Sequence, residues 1–178
     1  MALSILKIAR MGHPLLRQRT VPLSPAELSG LEIQKLIDDM FETMREYEGV
    51  GLAAPQVHHS VRLFVAGVDE SDSSFLPIVM VNPEIEAIGG AGDEDWEGCL
   101  SIPDVRGKVP RSEEIRVRSL DRHGKSQKMT ASGFPARVIQ HETDHLDGIL
   151  FLDRMSSFES LTFLDEYSRY GDKEGSAS

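Results

Sequence analysis

The 178-residue chain holds a single cysteine, Cys99. One thiol excludes an internal disulfide and suits a reducing compartment. No run approaches the roughly 20 apolar residues of a membrane span, so no membrane partner is expected. Residues Met1 to Lys7 carry no long apolar segment and no small-residue cleavage pattern, and are not read as a signal peptide. Positive charge is in deficit: 19 Lys and Arg stand against 29 Asp and Glu, a formal net charge of −10. That balance argues against a general nucleic-acid surface, and DNA is not expected as a partner. No internal repeat is visible. The expectation is a cytoplasmic protein of one domain, large enough to bury a core.

Histidine is sparse too, at six residues, yet two of them fall in one pentad, His141-Glu142-Thr143-Asp144-His145. On a helix, positions i and i+4 share a face one turn apart. His141 and His145 can therefore grip one metal ion, with Glu142 beside it to move protons. Pro135 suits a first helical turn. Phe134, Val138 and Ile139 supply apolar positions near helical spacing. Gly148 can end the helix in a left-handed conformation. Two imidazoles alone are as often ordinary surface residues, and a catalytic site needs a third protein ligand. Downstream of Gly148 only carboxylates are available: Asp153, Glu159, Asp165 and Glu166. Upstream stands Cys99, beside Gly98, on a run that reads as a strand entering a turn at Pro103. By base rate a lone cysteine is an inert buried hydrophobe.

The rest of the chain places these pieces. Ser24-Pro25-Ala26-Glu27 offers a capping box, and Ser29 with Glu32 offers a second helix start. Ile33, Leu36, Ile37, Met40, Phe41 and Met44 repeat at helical spacing as far as about Tyr47, with the methionines read as core. Strands are expected at 61–68, 78–81, 84–88, 93–99, 115–120 and 126–130, with a turn at Asp121-Arg122-His123-Gly124. Ser156 and Glu159 can cap a last helix running to about Tyr170. Strands in the middle and helices at the ends give an α+β class. Residues 1–170 are read as a single catalytic domain and 171–178 as a frayed tail. Gly49 and Gly51, in the loop 49–56, would let a substrate backbone come close.

Three segments together resemble the signature motifs of peptide deformylases. They are Gly49-Val50-Gly51-Leu52-Ala53-Ala54-Pro55-Gln56, Glu97-Gly98-Cys99-Leu100-Ser101 and Gln140 to Gly148, in that family's order. The resemblance spans roughly residues 3–155. It implies antiparallel sheets packed around a central helix bearing the pentad, with further helices near the termini. It implies metal ligands at Cys99, His141 and His145, and Glu142 as general acid and base. The Gln56 side chain and the Leu100 backbone N–H would stabilise an oxyanion. Val50, Gly51 and Gly98 are read as substrate contacts. The implied cofactor is one divalent ion, Fe²⁺ natively, with Zn²⁺, Ni²⁺ or Co²⁺ as substitutes. The implied reaction releases formate from N-formyl-methionyl nascent peptides, which makes a transient ribosome contact reasonable. Residues 156–178 carry five acids against two bases, so that contact is not expected to use this segment. Two other readings are a zincin-type metallopeptidase with a downstream third ligand, and an inactive peptide-binding relative that has lost a site residue.

Overall fold

The computed structural model describes residues 3–67, 75–88 and 90–171. An extended arm leads to a 3₁₀ turn at Pro14–Arg17, a short helix α1 (Pro25–Leu28) and the long helix α2 (Leu31–Glu46). Strands β1 (Gly51–Ala53), β2 (Leu63–Ala66), β3 (Ile78–Ala87), β4 (Ala91–Cys99), β5 (Ile102–Ser112), β6 (Glu114–Leu120) and β7 (Ser126–Ser132) follow. The pentad helix α3 (Gly133–Leu146), α4 (Phe151–Arg154), β8 (Thr162–Phe163) and α5 (Leu164–Tyr170) complete the order. One antiparallel sheet runs β1-β2-β3-β6-β7 and a second runs β4-β5-β8. The expected α+β architecture, with sheets around a central pentad helix, is what forms.

Apolar periodicity dictates the packing. Leu36, Ile37, Met40 and Met44 of α2 bury against Leu52, Leu63, Val65 and Val81. Both methionines are core, as their spacing predicts. Ala136, Val138, Ile139 and Leu146 of α3 pack on Phe64, Met80, Ile115 and Val117 from the other side of the same sheet. Under the second sheet, Ala9, Leu16, Ile102, Val109, Leu150 and Phe151 form a third cluster. Helix α3 is thus covered on nearly all sides, and every polar group on it needs a partner or a function.

Several local expectations change. The capping box at Ser24 and Glu27 is present, but it starts only α1, and α2 begins after Gly30 rather than Ser29. The loop 49–56 is not a simple turn, since it holds β1 and a 3₁₀ turn at Ala54–Val57. The strand expected over 61–68 is shorter, and Val68 lies outside the described residues. Pro103 does not make a turn. The chain reverses at Leu100 and Ser101, Cys99 pairs with Ile102, and Pro103 is the second residue of β5, a strand that the sequence reading missed. That strand tolerates the proline because it lies at a register shift, where Asp104 adopts φ 64°. Strands 78–81 and 84–88 are one strand, irregular at Asn82 and Pro83. The helix expected from Ser156 breaks into a 3₁₀ turn at Phe158–Ser160, β8 and the short α5. Residues 172–178, most of the expected tail, lie outside the described residues.

Asn82 adopts φ 50° and clamps the arm: its Oδ1 accepts from Leu23 N–H at 2.9 Å and its Nδ2 donates to Leu23 C=O at 2.8 Å. Asn82→Ala removes both bonds and a residue type suited to the left-handed region. A loss of about 1–3 kcal/mol in urea unfolding is expected, with the slope unchanged.

Candidate metal centre

Cys99 ends β4, and His141 and His145 stand one turn apart on α3. Their donor atoms all lie within 4.8 Å of one another, the one such group of three among the described residues. Cys99 Sγ is 3.2 Å from His145 Nε2. Two ligands of one tetrahedral ion at about 2.0–2.3 Å stand roughly 3.3–3.8 Å apart, so a small widening would seat an ion between them. His141 and His145 are 9% and 1% exposed. His141 Nδ1 bonds Glu97 Oε2 at 2.8 Å, which fixes the ring and leaves Nε2 for the shared point.

The electrostatics fit a cation. Burial alone would raise the Cys99 thiol, but the imidazoles of His145 and His141 hold it well below its usual range. Burial would lower His141, and its contacts with Cys99 and Glu97 instead hold it well above the ordinary histidine range. Both directions favour charge on the cluster, and a metal ion can take the place of a proton there. Among the described residues, His145 Nδ1 and Glu142 Oε2 are buried without hydrogen-bond partners.

Glu142 faces the same cavity, of about 860 Å³, as Cys99 and Gln56. Burial pushes its carboxyl up to about 7, against the opposing pull of His141 and His145. Gly51 makes room for it: a Cβ there would collide with Glu142 Oε1. The glycine is therefore needed against the protein's own carboxyl, a reason the sequence reading did not give. Gln56 is 2% exposed and its orientation is set by bonding. Oε1 accepts from Ala53 N–H at 2.8 Å, so Nε2 points to Ser101 Oγ at 3.2 Å and Cys99 Sγ at 3.5 Å. Leu100 sits at the reversal after Cys99, and Val50, Gly51 and Gly98 line the cavity. Phe134, expected on the apolar face of α3, is 53% exposed at the cavity rim.

The downstream carboxylates stand elsewhere. Asp153 pairs with Arg17 and accepts from Leu150 N–H at 2.8 Å. Asp165 is exposed and Glu166 half-buried, both beside Arg169. The sequence reading missed Ser101, fully buried, whose N–H lies 3.4 Å from Cys99 Sγ. It also missed a buried ionic network. Glu97 accepts from Arg111 at 2.8 and 3.0 Å and from Arg137 at 3.0 Å, while Arg111 also reaches Asp144 at 2.5 Å. Arg154 binds Asp144 at 2.7 Å. Glu97 adjoining Cys99, and Asp144 inside the pentad, were the available signals.

This fold, with an H-E-x-x-H helix and three donors that could hold a metal ion, fits a metal-dependent hydrolase. A polypeptide deformylase family model matches residues 5–160, and the chain belongs to that family. It is 41% identical over 168 residues to peptide deformylase 2 of a Nostoc strain, covering 92% of this chain and 93% of that one. The structure resembles a peptide deformylase of Acinetobacter baumannii solved with Met-Ala-Ser bound, at 39% identity and TM-score 0.80, covering 86% of this chain and 100% of that one. It also resembles the peptide deformylase of Thermotoga maritima, at 39% identity and TM-score 0.79, covering 86% and 99%. The protein is an enzyme that removes N-formyl groups from new polypeptides.

Glu97 has its carboxyl held at about 2: burial would raise it, but His141 and Arg111 overcome that by hydrogen bonding. A carboxyl depressed in the folded state contributes stability that is complete above about 4.5 and lost as pH falls towards about 2. Glu97→Gln is expected to cost about 3–5 kcal/mol at neutral pH, since it strands Arg111. Its stability should also fall less steeply below pH 4.5, as followed by urea unfolding at a series of pH values.

Proposed function

We propose that Cys99, His141 and His145 hold the catalytic ion, that Glu142 is its general acid and base, and that residues 1–170 act as one catalytic domain. The supporting observation is the convergence of Cys99, His141, Glu142 and Gln56 on one cavity, with the third donor, His145 Nε2, 3.2 Å from Cys99 Sγ. The ion, when bound, supplies Lewis acidity and lowers the pKa of water towards neutrality. Glu142 accepts the proton from the attacking water. The Gln56 amide and the Leu100 N–H donate to the oxygen that gains charge as the formyl carbon is attacked. Glu142 returns the proton to the leaving nitrogen, and formate and a free N-terminus result. Val50, Gly51 and Gly98 flank the peptide.

The substrate is read as the formylated methionine end of a nascent chain, met in the cytoplasm with transient ribosome contact. The acidic segment 156–178 is not read as the docking element. Fe²⁺ is the proposed native ion on the family resemblance, and a thiolate with two imidazoles accepts Zn²⁺, Ni²⁺ and Co²⁺ as well. Among the described residues no helix is long and apolar enough to cross a membrane.

Formate release from a formyl-Met peptide, measured beside metal content on anaerobically prepared protein, tests the reading. Cys99→Ala should lose both metal and turnover. Glu142→Ala should keep the metal and lose about 10²–10⁴-fold in kcat. Full metal and normal rate in the cysteine variant, or metal lost in step with rate in the glutamate variant, would reverse these roles.

A thiolate on a redox-active ion invites oxidation. Iron-loaded enzyme is expected to decay in air while nickel-loaded enzyme outlasts it, and equal lifetimes would count against iron as the native ion.

A further inference from the structure

The cavity extends beyond the donor cluster to a wall that the proposed chemistry leaves unused. Arg106 of β5, Trp96 of β4 and Leu164 of α5 line it. Arg106 pairs across strands with Thr162 of β8, so the terminal segment is tied to this wall through the backbone. Its guanidinium packs on the Gly98 backbone, where a Cβ would stand 3.3 Å from Nη1. The Arg106 Nε is buried with no hydrogen-bond partner among the described residues. What holds the group is a ring: its Cζ lies 5.6 Å from the centroid of Tyr167. The same ring meets Trp96 edge-on at 4.8 Å, and Lys108 Nζ lies 5.3 Å from the Trp96 ring centroid. Gly171 closes the stack, since a Cβ there would collide with the Tyr167 ring. A cation with an unpartnered Nε–H among the described residues thus lines the cavity and is held by an aromatic residue of the last helix.

We propose that Tyr167 is a positioning residue for the substrate. It fixes Arg106 and Trp96 so that Arg106 donates to oxygen acceptors of the peptide beyond the formylated methionine. Helix α5 thereby sets the preference for the residues that follow methionine. The inference rests on the cavity being the formyl-peptide site.

The test compares formyl-Met-Ala with formyl-Met-Ala-Ser, the latter as free acid and as amide, on metal-loaded full-length enzyme. Tyr167→Ala is expected to raise KM for the longer peptide about 3–10-fold with kcat kept within about twofold, shrinking its advantage over the shorter one. Tyr167→Phe keeps the ring and should restore KM. Arg106→Ala should match Tyr167→Ala, and the double variant should add nothing. A larger effect on the acid than on the amide assigns a terminal carboxylate as the acceptor; equal effects assign a backbone carbonyl. Gly171→Ala keeps the phenol but displaces it, and should move KM the same way without undocking the helix. Wild-type KM for the longer peptide in both the Tyr167→Ala and Gly171→Ala variants, or an equal loss on short and long substrates, overturns the inference. Absence of any turnover by the wild-type enzyme would instead overturn the reading of the cavity.

Discussion

The Glu97 carboxylate is the point on which the site depends. It lies in β4 two residues before Cys99, and it binds Arg111 of β5 and both Arg137 and His141 of α3. One side chain therefore joins the second sheet to the pentad helix at the place where thiolate and imidazole must meet. Asp144, on the turn after His141, extends the tie through Arg111 to Arg154 of α4. A buried ionic network of this kind adds little net stability over well-packed apolar residues. Its physical value is geometric. Charged groups that must satisfy one another in a dry interior tolerate few arrangements, and the one they select orients His141 with Nε2 towards Cys99. The N-terminal arm adds a second tie. Ala9 N–H donates to Gln56 C=O at 2.7 Å and Met11 N–H to Ser101 C=O at 2.7 Å, which brings the Gly-rich motif and the cysteine motif side by side.

Much of this was legible in the sequence, and the boundary has physical causes. The pentad reads as a helix because its apolar neighbours recur at helical spacing and Gly148, at φ 75°, stops it. Helix α2 reads equally well, because its stripe of Leu36, Ile37, Met40 and Met44 needs no knowledge of what it packs against. Strand β5 was hidden by Pro103, Gly107 and Pro110, which are turn formers in isolation; a paired neighbour on each side overrides them. The segment after Arg154 failed in the opposite sense. Ser156 and Glu159 look like a cap, yet pairing of Phe163 with Val105 in β5 draws the chain into a strand and defers the helix. The buried network was invisible for a related reason. Glu97, Arg111 and Asp144 are charged residues at 5%, 8% and 7% exposure, and local sequence gives no sign that partners 14 and 33 positions apart will meet.

Glu142 shows how local packing and chemistry are one constraint. Its carboxyl is pressed against the backbone of Gly51, a contact that excludes any side chain at that position and keeps water from one flank. The resulting desolvation raises the group to about 7 even though two imidazoles nearby favour its charged form. A carboxyl in the ordinary range near 4.5 would accept a proton poorly and surrender it readily. One poised near neutrality can do both with similar ease, and removal of a formyl group asks for both in sequence. The ion's charge, when present, pulls in the opposite direction and favours the carboxylate. Burial against Gly51 and attraction to the cation therefore bracket the group from two sides. A side chain at position 51 would disturb that balance by moving Glu142, without touching Cys99, His141 or His145.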